Sequence, residues 1–390
     1  MSKCSSYVCF CTLVAVLLPS CLLASSGGSG IPPDNWYWDN GTGNSNWSDS
    51  SSDKNNWNPN SNPTISGSGV TPKVFFTDQY VSSNQFINIK GNDKTIHSLT
   101  LKGKRKYTLD DYTDSTDLIF DTGSEGGTSY LHVKASSGGS SDHEIWIEMT
   151  LNNDLEINQE VNKDLRLRDK INLQNNTLTF NNVGTIRTQD DITGTGNLVK
   201  NNTGTVKIQG ATTFTGDVTI NAGVMKLQDH DSLEEISNVI VNGGTLLEEC
   251  SFAINDDANM TLAGGTYELA YGVDETMNSL TLTADSTIKL GSGNNTLTYE
   301  SGSRVGGLLT IDDWDGSGSG GGNDQVIFNT TLSADFLSNV HWADQGITGA
   351  TQLATGEIVP IPEPATLLVG SILGALTGCD ILARRRKKGL

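Results

Sequence analysis

Histidines and paired carboxylates are the residues here that could do acid–base or metal chemistry. His97, His132, His143, His230 and His341 are scattered, and none stands at a metal-ligand spacing. Asp110/Asp111, Asp256/Asp257 and Asp312/Asp313 are adjacent acids. Two acids on one face can hydrolyse a glycosidic bond. Neighbours in a strand point to opposite faces, however, so these pairs read as solvated turns. No Gly-x-Ser-x-Gly elbow or phosphate loop occurs. The expectation is a chain with no catalytic residues, no metal site and no cofactor.

Aromatic chemistry is the alternative. Trp36, Trp38, Trp47 and Trp57 punctuate residues 27–72, a stretch rich in Gly, Ser, Asn and Pro. Such a stretch builds no core alone. Either the indoles cap an open β-structure, or they form a platform for sugar rings. A platform requires them exposed and coplanar; a cap is the expectation.

Charge and cysteine set further bounds. The chain has 25 Lys+Arg against 45 Asp+Glu, a net charge of −20. That balance repels nucleic acid. Of the six cysteines, only Cys250 lies outside the two ends, so no disulfide framework braces the body. Stability must come from packing and backbone pairing.

The elements that position this body begin with its ends. Residues 1–26 combine Lys3, an apolar run and Ala24-Ser25-Ser26, which reads as a secretory signal peptide. Leu18-Pro19-Ser20-Cys21 is a loose lipobox, with proline as its poor fit. At the other end come Pro362, Glu363, Pro364 and Ala365, then an apolar run over 366–383, then Arg384, Arg385, Arg386, Lys387 and Lys388. A helix of that length, at 1.5 Å per residue, covers roughly 28 Å, close to a bilayer core. The basic cluster orients it with its tail in the cytoplasm. Asp380 departs from a clean span, near the interface. This ending resembles the PEP-CTERM sorting domain of bacterial envelope and exopolymer-associated proteins. The resemblance implies processing near residues 362–365 by an exosortase, a membrane-embedded cysteine transpeptidase.

Between the ends, from about residue 73, short β-branched runs alternate with Gly, Asn and Asp turns: KVFFT at 73–77, FINIK at 86–90, EIWIEMTL at 144–151, and so on to 308–311. Alternation within each run has period two, so the body is all-β. The strands are too many and too evenly spread for one sandwich, which favours a solenoid. Val, Ile, Leu and Phe are expected inward, Thr, Asn, Lys and Asp outward, with Gly and Asn supplying left-handed corners. Asn-rich turns such as Asn201-Asn202-Thr203 suggest polar ladders along the stack.

Residues 193–227 carry the clearest internal pattern, at Gly194, Gly196, Leu198, Lys200, Gly204, Val206, Phe214, Gly216, Asn221, Gly223 and Leu227. They resemble the autotransporter-associated β-strand repeat, which implies a right-handed parallel β-helix on a secreted or surface protein. Gly320-Gly321-Gly322-Asn323-Asp324 resembles half of a calcium-binding nonapeptide; as a single copy it reads as a hairpin loop between 308–311 and 326–328.

The expected organisation is a signal peptide (1–26), an N-terminal segment or cap (27–72), a solenoid body (73–331), a terminal β unit and tether (332–361) and a sorting signal (362–390) with a single transmembrane helix. The expected function is that of a non-enzymatic, exported envelope or exopolymer-associated structural or adhesion protein. Its partners would be exosortase, membrane and extracellular polysaccharide, with no nucleic acid. The alternative is a secreted β-helix that degrades or binds polysaccharide. A degrading enzyme would show acids with Lys or Arg gathered from successive coils; a bland Thr/Asn face argues against it.

Overall fold

The computed structural model describes residues 35–47, 56–58, 61, 63, 69–112 and 116–361. The segments assigned to export and sorting, 1–26 and 362–390, lie outside these residues. Among the described residues no helix is long and apolar enough to cross a membrane.

Strands of mostly four or five residues alternate buried and half-exposed positions, as in Asp217–Ile220, Val224–Leu227 and Thr266–Leu269. One polar face outward and one apolar face inward drive each strand to the wall of a shared core. The chain is an all-β solenoid. A 14-stranded and a 13-stranded sheet run its length, and a 5-stranded sheet closes a third side. Coils pair in parallel and in register. Val74, Leu99, Leu131, Ile157, Phe180, Lys200, Ile220, Val241, Leu262 and Leu282 form one continuous inward column.

The third sheet consists of Lys94–Ile96, Leu118–Phe120, Met149–Leu151, Ile171–Asn172 and Ile192–Thr193. After it ends, Phe214, Leu233 and Ile254 fill the same side from loops, with a single bridge between Leu233 and Ile254. Coil length falls along the rod: Leu99 pairs with Leu131, 32 residues on, while Leu198 pairs with Val218, 20 residues on.

The polar ladder is present. Asn242, Asn221, Asn201 and Asn181 each donate Nδ2–H to the Oδ1 of the asparagine one coil before, at 2.8, 2.8, 2.9 and 3.0 Å, ending on Asn158. A second ladder joins Asn278, Asn259, Asn238 and Asp217. Each rung satisfies an amide that the narrow coil corner would otherwise strand.

Both ends of the core are covered. Trp36, Trp38, Trp47 and Trp57 are buried, and Trp57 meets Trp38 and Trp47 edge to face at 80° and 65°. They cap the first coils and present no coplanar platform for a sugar. At the far end a short helix, Ala334–Ser338, capped by Ser333, seats Phe336 against Phe328 at 5.5 Å. Sequence patterning gave no sign of this helix, which is too short for a helical stripe.

Four expectations need correction. Lys200 faces inward in the apolar column, its Nζ donating to the carbonyls of Asn201, Asn202 (2.7 Å) and Ala222 (3.2 Å). Asp110 and Asp111 are buried, not solvated; they accept the amides of Tyr112 and Thr116 at 2.8 and 3.1 Å. Residues 320–324 are no hairpin, because the flanking strands Leu309–Asp312 and Gln325–Phe328 belong to different sheets; Asp324 is buried and accepts the amides of Asn295 and Asp315. Finally, Gly196 and Gly216 serve close approach, not left-handed corners: a Cβ on either would lie 1.9 Å from the carbonyl oxygen one coil before.

Candidate ligand groove

On the outward face of the longest sheet, three rows of side chains run across the first coils. The central row is Tyr37, Phe75, Thr100 and His132. A flanking row is Thr77, Lys102 and Lys134. Tyr37 and Phe75 stack at 4.8 Å and 21°. Strand Asn35–Trp38 therefore points its two tryptophans into the core and Tyr37 out of it, as the pleat requires. Tyr130 and His132 stack on the same face at 5.4 Å and 8°.

Loops from successive coils raise a wall beside these rows, and Asp78 ties the wall together. Its carboxylate accepts the amides of Lys104 (2.7 Å) and Arg105 (3.2 Å) and the hydroxyl of Ser136 (3.0 Å). Gly103, at φ +143°, makes this possible, since a Cβ there would sit 2.3 Å from the Asp78 carboxyl. Burial and hydrogen bonding of this kind fix loops that short coils could not carry. The result is an open groove of about 1160 Å³ lined by Tyr37, Phe75, Lys102, Arg105, His132 and Lys134 among others.

The electrostatics are one-sided. Lys102, Lys104, Arg105 and Lys134 are four cations in the lining, and Asp78 is its one carboxylate, already engaged. Lys134 pairs with Glu160 at 3.0 Å; Lys102 and Lys104 make no ion pair among the described residues. Arg105 Nε and His132 Nδ1 have no hydrogen-bond partner. Burial, reinforced by Lys134, lowers the His132 pKa, so the imidazole is neutral at neutral pH.

A second cluster lies on the other long sheet. Glu144 is bound by Lys106 (2.9 Å), Arg166 (2.9 Å) and Arg168 (3.5 Å), with Arg168 over the Trp146 ring at 4.5 Å. Burial pushes the Glu144 carboxyl up, but the hydrogen bonds from Lys106 and Trp146 and the neighbouring cations outweigh it and hold the pKa at about 2. Such an acid stays ionised and exchanges no proton near neutrality. Elsewhere Asp344 joins Asp312 and Asp313, with one carboxylate oxygen of each within 4.8 Å of the others. The five histidines do not converge, and the Cys250 thiol is pushed up to about 11 by burial and nearby acids, which leaves it protonated.

Comparison with family models, with curated proteins and with solved structures returned no match. The groove therefore stands on its geometry. Of the aromatic residues considered for sugar contact, Trp36, Trp38, Trp47 and Trp57 are inaccessible, and their sequence neighbour Tyr37 is the one displayed. The signal that would have found it is the two-residue alternation of Asn35–Trp38, read for its outward member.

Proposed function

We propose that this chain is an exported, non-enzymatic structural or adhesion protein of the cell envelope or exopolymer matrix, in which a right-handed β-helical rod holds polysaccharide in the groove around Tyr37, Phe75 and Lys102. The observation that carries the reading is an aromatic pair and a row of cations side by side on a rigid sheet face. Pockets that bind small organic groups combine aromatic walls with a few convergent polar groups in this way. Residues 1–26 would direct export. Pro362, Glu363 and Pro364, the helix over 366–383 and Arg384, Arg385, Arg386, Lys387 and Lys388 would hold the chain for exosortase processing.

A binding role also fits what the lining lacks. Hydrolysis of a glycosidic bond uses two carboxyl groups across the bond, and the groove offers Asp78 alone, engaged by the wall. Incubation with extracellular polysaccharide should give retention without shortening of the polymer. Release of shorter chains would overturn the non-enzymatic role, and no retention would overturn polysaccharide binding. Mass spectrometry of the mature protein should show loss of residues 366–390; their retention would refute processing at the PEP signal.

A further inference from the structure

We infer that the groove is selective for anionic polysaccharide, a glycan bearing carboxylate or sulfate at regular intervals. The inference rests on the polysaccharide reading above and adds the charge of the ligand.

Three observations lead to it. The chain carries a net charge of −20, yet four of its cations converge on this one groove, whose sole carboxylate is consumed by the wall. A local positive field on an acidic molecule concentrates anions at that place and repels them elsewhere. Next, Lys102 and Lys134 are in-register partners on adjacent coils, so their stems leave the sheet roughly 4.8 Å apart. Lys104 and Arg105 extend the cationic row along the rim. A polymer with one charge per sugar meets such a row repeatedly. Lastly, the Arg105 Nε–H has no acceptor in the protein. An unpaired guanidinium donor at a groove wall is unfavourable, and a ligand carboxylate or sulfate oxygen beside it relieves that. The Tyr37–Phe75 stack supplies the apolar face for the ring between charges.

Single-stranded nucleic acid also pairs cations with stacking rings. Its denser charge suits this acidic molecule less well, so it becomes a control. The test is calorimetric titration of the full chain with polygalacturonate, dextran sulfate, neutral dextran and single-stranded DNA, at low and moderate salt. Polygalacturonate or dextran sulfate should bind at least about tenfold more tightly than dextran, as expected for loss of one charge-assisted hydrogen bond. A Lys102→Ala/Lys134→Ala variant should lose about tenfold or more toward the anionic glycans and flatten their salt dependence, with its circular dichroism unchanged. Lys104→Glu, at an exposed rim position, should act in the same direction. Equal binding of dextran, with sensitivity to Phe75→Ala, would overturn the anionic selectivity while leaving the polysaccharide groove intact. DNA binding as tight as the glycans, or indifference to both lysine variants, would also overturn it. Binding of no glycan at all would sink this inference and the proposed function together.

Discussion

The first coils and the later coils of the same rod solve one problem in two ways. Up to Ile192–Thr193 the cross-section has three sheets, coils of up to 32 residues and loops such as 103–106 and 135–142. Beyond it the cross-section has two long sheets, coils of about 20 residues and corners stitched by asparagine ladders. Backbone pairing is complete in both, so the difference lies in the extra residues. Long coils spend them on walls, and the groove is there. Short coils have none to spare, and their faces are Thr and Asn rows such as Thr205, Thr245, Thr266 and Thr287. A site on a solenoid arises where the repeat is least regular.

The two regions also bury opposite titratable groups. In the first coils His143 lies in the core, its Nδ1 accepting the Tyr107 amide at 3.2 Å, and burial lowers its pKa to about 4. In the later coils Glu248 and Glu275 are both buried and share a proton. Burial is the main cause that raises both, followed for Glu248 by its neighbour Glu275. Glu275 keeps the charge, because it accepts the amides of Ala253 and Ile254, while Tyr267 donates to Glu248. A lowered His143 pKa means the unfolded chain binds more protons between pH 6.5 and about 4. Stability from that site is complete above the upper value and declines as pH falls. Raised carboxyl pKa values act in reverse: the contribution is complete below the ordinary value of 4.5 and is lost as pH rises through the folded values.

The largest test of the comparison is Trp38→Ala. It should destabilise the first coils by about 3–5 kcal/mol, with faster amide exchange over 73–110 and little change beyond 205, because solenoid coils couple chiefly to neighbours. Uniform loss along the rod would show that the two regions fold as one unit. Next comes Glu248→Gln, which keeps both hydrogen bonds without a proton to lose. It should match the parent near pH 5 and exceed it at about pH 9 by roughly 1–3 kcal/mol, read from exchange in residues 239–299. A parent whose later coils grow more protected as pH rises would contradict the shared proton. Smallest is Asn201→Ala, which removes one rung and should cost about 0.5–1.5 kcal/mol without touching groove binding. A change in glycan affinity there would blur the division between the regions.

Much of this was legible beforehand in the period-two runs, the Asn-rich turns and the absence of paired cysteine. Lys200 shows where such patterning stops. A lysine in an alternating run is read as outward, yet its position in LVKN (Leu198–Asn201) keeps the inward phase, and three stranded carbonyls at the corner accept its ammonium group. Asp110 and Asp111 misled for a related reason, since a buried turn needs acceptors for its own amides.

Local alternation alone thus determined that the body is all-β and that strands stack as coils, because a strand with one apolar face must bury it against its neighbours. Which outward residues become a site was decided only in three dimensions. Tyr37, Phe75, Lys102 and Lys134 span 98 positions in the chain and become neighbours through coil register. Coil length sets that register, and it varies along this rod with loops that carry no periodic signal.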